Sequence, residues 1–473
     1  MPKLSTATAA GLAIVVVTTV LVHLAIPLPS DVAWLLSVNE RLFDGQRLYA
    51  DILETNPPMA VWLYTLPIGL ERLTGLAAEN YVILETISAG LLSLWLSART
   101  LARPALPIAI AAALVLLIPI DSFAQREHFV LFGLLPWLAL AMRRSAGERP
   151  AGWMIVAAGI GIAIALAIKP HFAIVVVLVA LLGAWRARSW RPIFAAEHWL
   201  AAILLGLYGA LIALAYPDFL SVVLPAASQI YVPLRMDTVS LLLQPHALLV
   251  YLALLLALTL YRCDATEGAM PLVLVAILGC LIVYLVQGKG WAYHLLPGTT
   301  LAILAIASLG FAPRRYLVPA LMSALAAIPG VLWLITTLAQ PEPLLALQSY
   351  GRGLSIALIS SDIGLANPVH RQLGDRLVNS EPMLWRATGA IILSRGASPA
   401  HRDKLAAYEA ADRDRLAADL ARFNPDLVLA DTKGFDWLAW ARADTRIAAI
   451  LDGYTAEAVI STHGTEITVL RRN

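Results

Sequence analysis

The stretch Pro29–Pro58, PSDVAWLLSVNERLFDGQRLYADILETNPP, decides how this chain is read. It carries Asp31, Glu40, Asp44, Asp51 and Glu54, with Arg41 and Arg47 among them, and closes on Asn56-Pro57-Pro58. The sequence on either side is oily. Long polar connections in compact folds are usually functional or disordered. Disorder fits poorly here, because Trp34, Leu35, Leu36, Leu42, Phe43 and Leu48 interleave with the charges at roughly helical spacing. The pattern predicts short amphipathic helices at a membrane surface; a plain solvated loop is the alternative.

The rest of the composition supports a membrane setting. Hydrophobic residues are 59% and charged residues 14%, with a mean hydropathy of +0.75, as in a polytopic α-helical membrane protein. A formal net charge of +2 gives no nucleic-acid signal, and the arginines sit mostly in short loops between apolar runs. Cys263 in a short loop and Cys280 in an apolar run make neither a disulfide framework nor an obvious nucleophile. Residues 8–27 read as a retained first span, since the Pro-Leu-Pro-Ser at its end is a poor signal-peptide cleavage site.

Apolar runs long enough for roughly 30 Å of hydrocarbon fall near 8–27, 81–98, 105–120, 129–142, 152–168, 172–185, 198–216, 244–261, 270–287, 292–311 and 316–338, about eleven spans in all. Residues 59–74 are apolar but short, interrupted by Pro67 and charged at Glu71 and Arg72, so they read as a horizontal or re-entrant helix. With Lys3 in the cytoplasm, alternation then places Arg99 with Arg103, Arg143 with Arg144 and Arg149, Arg186 with Arg188 and Arg191, Arg262, and Arg314 with Arg315 all inside. Making 59–74 a full span would break that agreement. The opposite face receives 28–80, the turn 121–128, Lys169-Pro170-His171, 217–243, the stretch 287–294 and everything after 338. The expected architecture is a transmembrane region over 1–340 and a small extracytoplasmic α/β domain over 341–473. In that domain 354–360 and 426–430 read as strands, 401–422 as a helix, and 454–461 with 465–470 as a hairpin around His463-Gly464. It contains no nucleotide-binding loop and no metal-ligand spacing.

The chemistry-bearing residues share the outer face. Asp31, at the end of the first span, is placed to act as a general base if partly desolvated, or simply marks the span's end. Tyr49, Asp51 and Glu54 lead to Pro57-Pro58, which cannot continue a helix and can hold both acids on a rigid turn; a helix stop with solvated acids is the alternative. Arg126 can clamp a phosphate, while Asp121, Glu127 or His128 can assist a metal or orient an acceptor, unless these ions only satisfy each other. Lys169 and His171 flank Pro170 at the same level, although a lysine at a span end often snorkels. In the 287–297 stretch, QGKGWAYHLLP, Gly288 and Gly290 permit close backbone approach and Lys289 offers a point charge. Trp291, Tyr293 and His294 form either an aromatic, hydrogen-bonding wall or an interfacial belt. Tyr231, Arg235 and Asp237 complete this surface or form a solvated loop.

Taken together, the chain resembles the integral-membrane GT-C glycosyltransferases, the superfamily that includes protein O-mannosyltransferases and lipid A aminoarabinose transferases. The resemblance rests on Asp31 after the first span, the loop ending in Tyr49, Asp51, Pro57 and Pro58, and the later Lys289, Tyr293, His294 and Pro297, and it covers about residues 8–340. It implies inverting sugar transfer from a polyprenyl-phosphate donor to a glycan, lipid or protein acceptor at the outer face of the inner membrane. In that mechanism Asp31 serves as base, with Asp51, Glu54 or Asp121 as further acids, and Arg126, Lys169, Lys289 and Arg235 hold the donor phosphate. Tyr49, His128, His171, Trp291, Tyr293 and His294 line the substrate. The family often pairs its first acid, whereas Val32 follows Asp31, and it often has Lys before the Pro-Pro pair, where this chain has Asn56. The sequence assigns no cofactor; a divalent metal, magnesium or manganese, can contribute charge. Transport of a lipid or sugar, or a membrane scaffold for the soluble tail, are the rival classes.

Overall fold

A computed structural model of the protein describes residues 6–101, 106–263, 269–310, 343–461 and 466–473. The fold is mostly helical, with a small C-terminal sheet. Among the described residues, five helices are long and apolar enough to cross a bilayer: Thr6–Ala25, Ala78–Thr100, Pro170–Ala187, Ala196–Ala215 and Met270–Gln287. Their outward faces carry Leu21, Leu92, Leu207, Leu214 and Leu278, all exposed. Apolar surface of this kind suits a lipid surround. The run expected at 316–338 lies outside the described residues, as do Arg103, Arg314, Arg315, His463 and Gly464. Residues 59–74 form two helices, Pro58–Trp62 and Thr65–Thr74. The second spans only about 15 Å at 1.5 Å per residue and stops at Gly75, whose left-handed φ of 75° suits a glycine cap.

The described chain forms two compact units that do not follow sequence order. The first is drawn from Met1–Ile26, Pro58–Ile212 and Arg235–Ala339; the second from Pro27–Pro57, Ala213–Leu234 and Gln340–Asn473. Within the first, the helices Arg126–Ser145 and Gly152–Ile168 form an antiparallel hairpin. They cross at Gly133 and Gly161, where an added Cβ on either residue would collide with the other's carbonyl oxygen. Small residues at such a crossing let the backbones meet. The hairpin therefore brings the start of one helix, Arg126-Glu127, beside the residue that follows the other, Lys169.

The second unit is built on a sheet of order β2-β1-β3-β5-β4, with β1 Ser355–Ile359, β2 Arg376–Leu377, β3 Leu427–Asp431, β4 Tyr454–Ser461 and β5 Glu466–Arg472. β1 pairs in parallel with β2 and β3, and β5 runs antiparallel to both β3 and β4. β3 is buried throughout and apolar from Leu427 to Ala430, as suits a central strand covered on both faces. Helices Trp385–Ser394 and Pro399–Phe423 and the segment around Trp437 and Trp440 pack on it through Ala387, Leu416 and Leu420.

The stretch quoted at the outset belongs to this second unit. Helix Ser30–Phe43 buries Val32, Ala33, Trp34, Leu35, Leu36 and Val38, so it is packed within protein and does not lie as an amphipathic helix on lipid. Its polar residues face protein partners. Ser37 Oγ lies 2.9 Å from His370 Nε2, Arg371 reaches Glu40 at 2.5 Å, and the Arg41 guanidinium donates to the Asn379 carbonyl. Farther along, Leu53 N donates to Ser380 O at 2.8 Å and Arg415 to Ala50 O at 3.2 Å.

Candidate functional site

The sequence-predicted residues divide between the two units. In the second, Asp31 lies half-buried in the first turn of helix Ser30–Phe43, where an acid complements the helix dipole. The other candidates of this loop are held by the loop itself. Glu54 is buried; its Oε2 accepts from Trp34 Nε1 at 2.6 Å, and its Oε1 accepts the Asn56 backbone N–H at 2.8 Å and the Asn56 side-chain amide. Asp51 accepts Arg47 N–H at 2.8 Å and Arg47 Nε at 3.3 Å. That backbone donor, followed by the guanidinium, holds its carboxyl below the usual range, which suits a turn anchor better than a base. Tyr49 is buried with φ at 68° and donates its hydroxyl to Asn56 O at 2.6 Å. Its ring packs on Phe219 at 4.9 Å and edge-on to Tyr216 at 5.8 Å. Glu54 and Tyr49 thus fix the shape of the loop ending in Pro57-Pro58.

In the first unit a different group converges. Glu127 is fully buried at the start of helix Arg126–Ser145, and its Oε1 lies 3.1 Å from Lys169 Nζ and 3.8 Å from His294 Nε2. The charges acting on His294 come from Lys169, Arg126, His171 and Lys289, drawn from three separate stretches of sequence. Neither ring nitrogen of the buried His294 makes a hydrogen bond among the described residues, so a water, an ion or a ligand group can be taken up there. Trp291 stacks on Tyr293 at 5.6 Å between centroids, and Tyr293 meets His294 edge-on at 4.7 Å, giving the cluster an aromatic wall.

Three predicted residues stand in other roles. Arg235 donates to Val286 O at 2.8 Å and Leu285 O at 2.6 Å, capping the carbonyl end of helix Met270–Gln287. Gly288 admits that guanidinium and Gly290 admits Met236, since a Cβ at either would strike them. The glycines expected to approach a ligand are in this structure occupied by the chain's own side chains. His128 is buried, with Nε2 2.8 Å from Val115 O and Nδ1 3.3 Å from Ala124 N. A carbonyl only accepts and an amide only donates, so His128 carries its proton on Nε2 and locks the 121–125 turn. Asp121 is exposed on that turn, accepting from Ser122 Oγ at 3.2 Å. Glu127 is the residue whose importance the sequence hides; it stands there only as one ion beside Asp121 and His128.

Lys289 carries a pH signature. Burial first, and then the neighbouring Arg235, push its ammonium down to about 8. Because that value lies below the unfolded lysine's, the charged form costs stability below pH about 8, and the cost is relieved as pH rises toward about 10.4. The charge available to an anion is lost as pH rises through about 8. Anion binding through Lys289 is expected to weaken above pH about 8, and Lys289→Arg, which stays charged, to extend it to higher pH. Anion affinity of the wild type that stays flat to pH about 10 would exclude Lys289 as an anion ligand.

Among the described residues no group of three or more His, Cys, Asp or Glu side chains is gathered as a metal ion would need. No protein-family model matches the chain, and no curated protein matches it either.

Proposed function

We propose that this is a membrane glycosyltransferase of the GT-C kind, with about eleven spans, that moves a sugar from a polyprenyl-phosphate donor to a cell-envelope glycan, lipid or protein, inverting the anomeric carbon. The observation that carries this reading is the gathering of Arg126, Lys169, His171 and Lys289 about His294, with Glu127 as the carboxylate in contact with Lys169. Arg126 and Lys169, both buried, with the half-buried Lys289, outnumber Glu127 in this cluster and suit a multiply charged anion. A departing phosphate is such an anion, and its charge grows as the sugar–oxygen bond breaks.

In this mechanism Asp31 accepts the proton of the acceptor hydroxyl as the acceptor oxygen bonds to the anomeric carbon. The bond from that carbon to the phosphate oxygen breaks, and the phosphate leaves with the electron pair. Arg126, Lys169 and Lys289 stabilise it, so no acid is needed on the leaving group. Trp291, Tyr293 and His294 offer a face for the sugar, and His171 and Asp121 remain available to the acceptor. Arg235, Glu54, Asp51, Tyr49 and His128 act by holding backbone in place. Should magnesium or manganese take part, it would add charge at the same phosphate. We place the reaction at the outer face of the inner membrane, with the N-terminus in the cytoplasm and residues 341–473 outside.

The test compares envelope glycans and glycolipids by mass spectrometry in a deletion strain carrying wild-type protein or an empty vector. A sugar present only with the wild type supports transfer, and its mass identifies it. Identical glycans in the two strains, together with labelled lipid or sugar crossing the membrane only with the wild type, would make the protein a transporter.

The tail bears on how such experiments are read. Deleting 343–473 removes His370, Arg371, Asn379, Ser380 and Arg415, which hold the 30–54 segment. The truncated protein is expected to lose transfer although no tail residue reacts, and limited proteolysis should cut newly between residues 44 and 57. Full activity of the truncated protein would show that the segment keeps its shape alone.

A further inference from the structure

Within the second unit, the loop 379–381 meets the 30–54 segment through three consecutive residues. Asn379 O accepts the Arg41 guanidinium, Ser380 O accepts Leu53 N at 2.8 Å, and Glu381 faces Arg415, which donates to Ala50 O at 3.2 Å. The first two contacts use backbone carbonyls and do not titrate. The third depends on a carboxyl group.

Glu381 is buried in a crowd of charge. Its Oε1 accepts from Arg386 Nη2 and lies 3.7 Å from Arg415 Nε, while its Oε2 makes no hydrogen bond among the described residues. Arg386 is shared, since its Nε also donates to Asp412 Oδ1 at 2.6 Å, and Asp412 Oδ2 accepts Ala387 N at 2.7 Å. One guanidinium thus serves two buried carboxylates. Arg386 comes from helix Trp385–Ser394, and Asp412 and Arg415 from helix Pro399–Phe423. One residue away from Glu381, Ser380 donates its N–H at 2.7 Å and its hydroxyl at 2.8 Å to Asp419 of that second helix, with the charge of Arg41 from helix Ser30–Phe43 nearby.

An ionised carboxylate whose second oxygen lacks a donor is costly in such a place. Burial, and then Asp412, push the Glu381 carboxyl well above the usual carboxylate range. Arg415 is the group able to answer a missing proton. Its side chain is 27% exposed, against 5% for Arg386, and it has only the 3.7 Å gap to close.

We propose that Glu381 is a proton-operated latch on the turn at 47–52: protonated, it leaves Arg415 on the Ala50 carbonyl; ionised, its proton passing to water, it draws Arg415 to itself and frees that carbonyl. The held form binds the proton more strongly than the released form, so holding is complete at acidic pH and is lost as pH rises through the titration of Glu381. The latch sets the shape of the segment that carries Asp31 and does not rest on sugar transfer.

Hydrogen–deuterium exchange of the full-length protein in detergent tests it, with rates corrected for the intrinsic effect of pH. The Tyr49, Asp51 and Ile52 amides report, because they close this turn by donating to Ile52 O and Arg47 O. In the wild type their corrected exchange is expected to quicken from pH about 5 upward, by up to about tenfold per pH unit, until Glu381 has ionised. Glu381→Gln, which keeps the shape of the uncharged acid, should stay at the slow acidic value throughout. Arg415→Ala should exchange fast at every pH while its thermal unfolding stays close to wild type. Exchange in the wild type that is flat from pH about 5 to about 9, a rise that survives in Glu381→Gln, or an Arg415→Ala variant as slow as the acidic wild type would overturn the latch. Should Glu381→Gln fail to fold, Arg415→Ala decides alone, and a rise with pH that persists in it overturns the latch equally.

Discussion

Asp31→Asn is expected to lower sugar transfer by about 10² to 10⁴-fold at matched protein level, the usual contribution of a general base. The affinity for the polyprenyl-phosphate donor should change little, because the lost group acts on the acceptor's proton. Asparagine keeps the size of the side chain and tolerates the first turn of helix Ser30–Phe43, so thermal unfolding should be unaffected. Asp51→Asn is the comparison. Its carboxylate is spent on Arg47 at an exposed turn, and exposed pairs of this kind are worth about 0–1 kcal/mol, so its transfer rate should stay close to wild type. If Asp31→Asn restores the missing sugar in full, Asp31 is not the base. If Asp51→Asn is the variant that fails, the turn at Asp51 carries the chemistry instead.

Lys169→Met should cost the protein its fold or much of its stability, and the reason is Glu127. With Lys169 removed, a carboxylate with no solvent exposure loses its partner at 3.1 Å. Stranding a buried charge in this way costs about 3–5 kcal/mol. The double variant Lys169→Met/Glu127→Gln removes both charges and should recover most of the folded yield, read by size-exclusion chromatography and thermal unfolding in detergent. Transfer should remain low in the double variant, since the cation assigned to the phosphate is still absent. Recovery of both yield and transfer would make the pair purely structural. A double variant as unstable as the single one would mean that Lys169 supports the fold through contacts other than Glu127.

Legibility in the sequence followed the range of the interactions. Strands at 354–360 and 426–430, the helix at 401–422 and the terminal hairpin correspond to β1, β3, Pro399–Phe423 and the β4–β5 pair, because each is set by local periodicity. β2, with only Arg376 and Leu377, and the apolar helix Trp385–Ser394 leave no periodic signal of comparable length. Helix Ser30–Phe43 looks amphipathic because its charges look solvated; the partners that bury it, His370, Arg371 and Asn379, lie far along the chain. The same limit applies at the candidate site. Arg126, Lys169 and Lys289 can be picked out by residue type, but their common neighbour His294 and the pairing with Glu127 depend on the hairpin that crosses at Gly133 and Gly161. Arg235 shows the opposite case. Its charge suggests a phosphate ligand, and only the position of the carbonyls at Leu285 and Val286 reveals the cap.

The sheet order places β5 between β3 and β4, although it follows both in sequence. Translation therefore delivers helix Ser30–Phe43 hundreds of residues before His370, Arg371 and Asn379, which hold its Ser37, Glu40 and Arg41, can exist. During that interval the segment bearing Asp31 has only its own local bonds, and domains dominated by such distant pairings form late. A ribosome that stops early leaves a product with its membrane helices made and its Asp31 segment unsupported. Support of the segment bearing Asp31 is thus tied to synthesis of the region that holds His370, Arg371, Asn379 and Arg415.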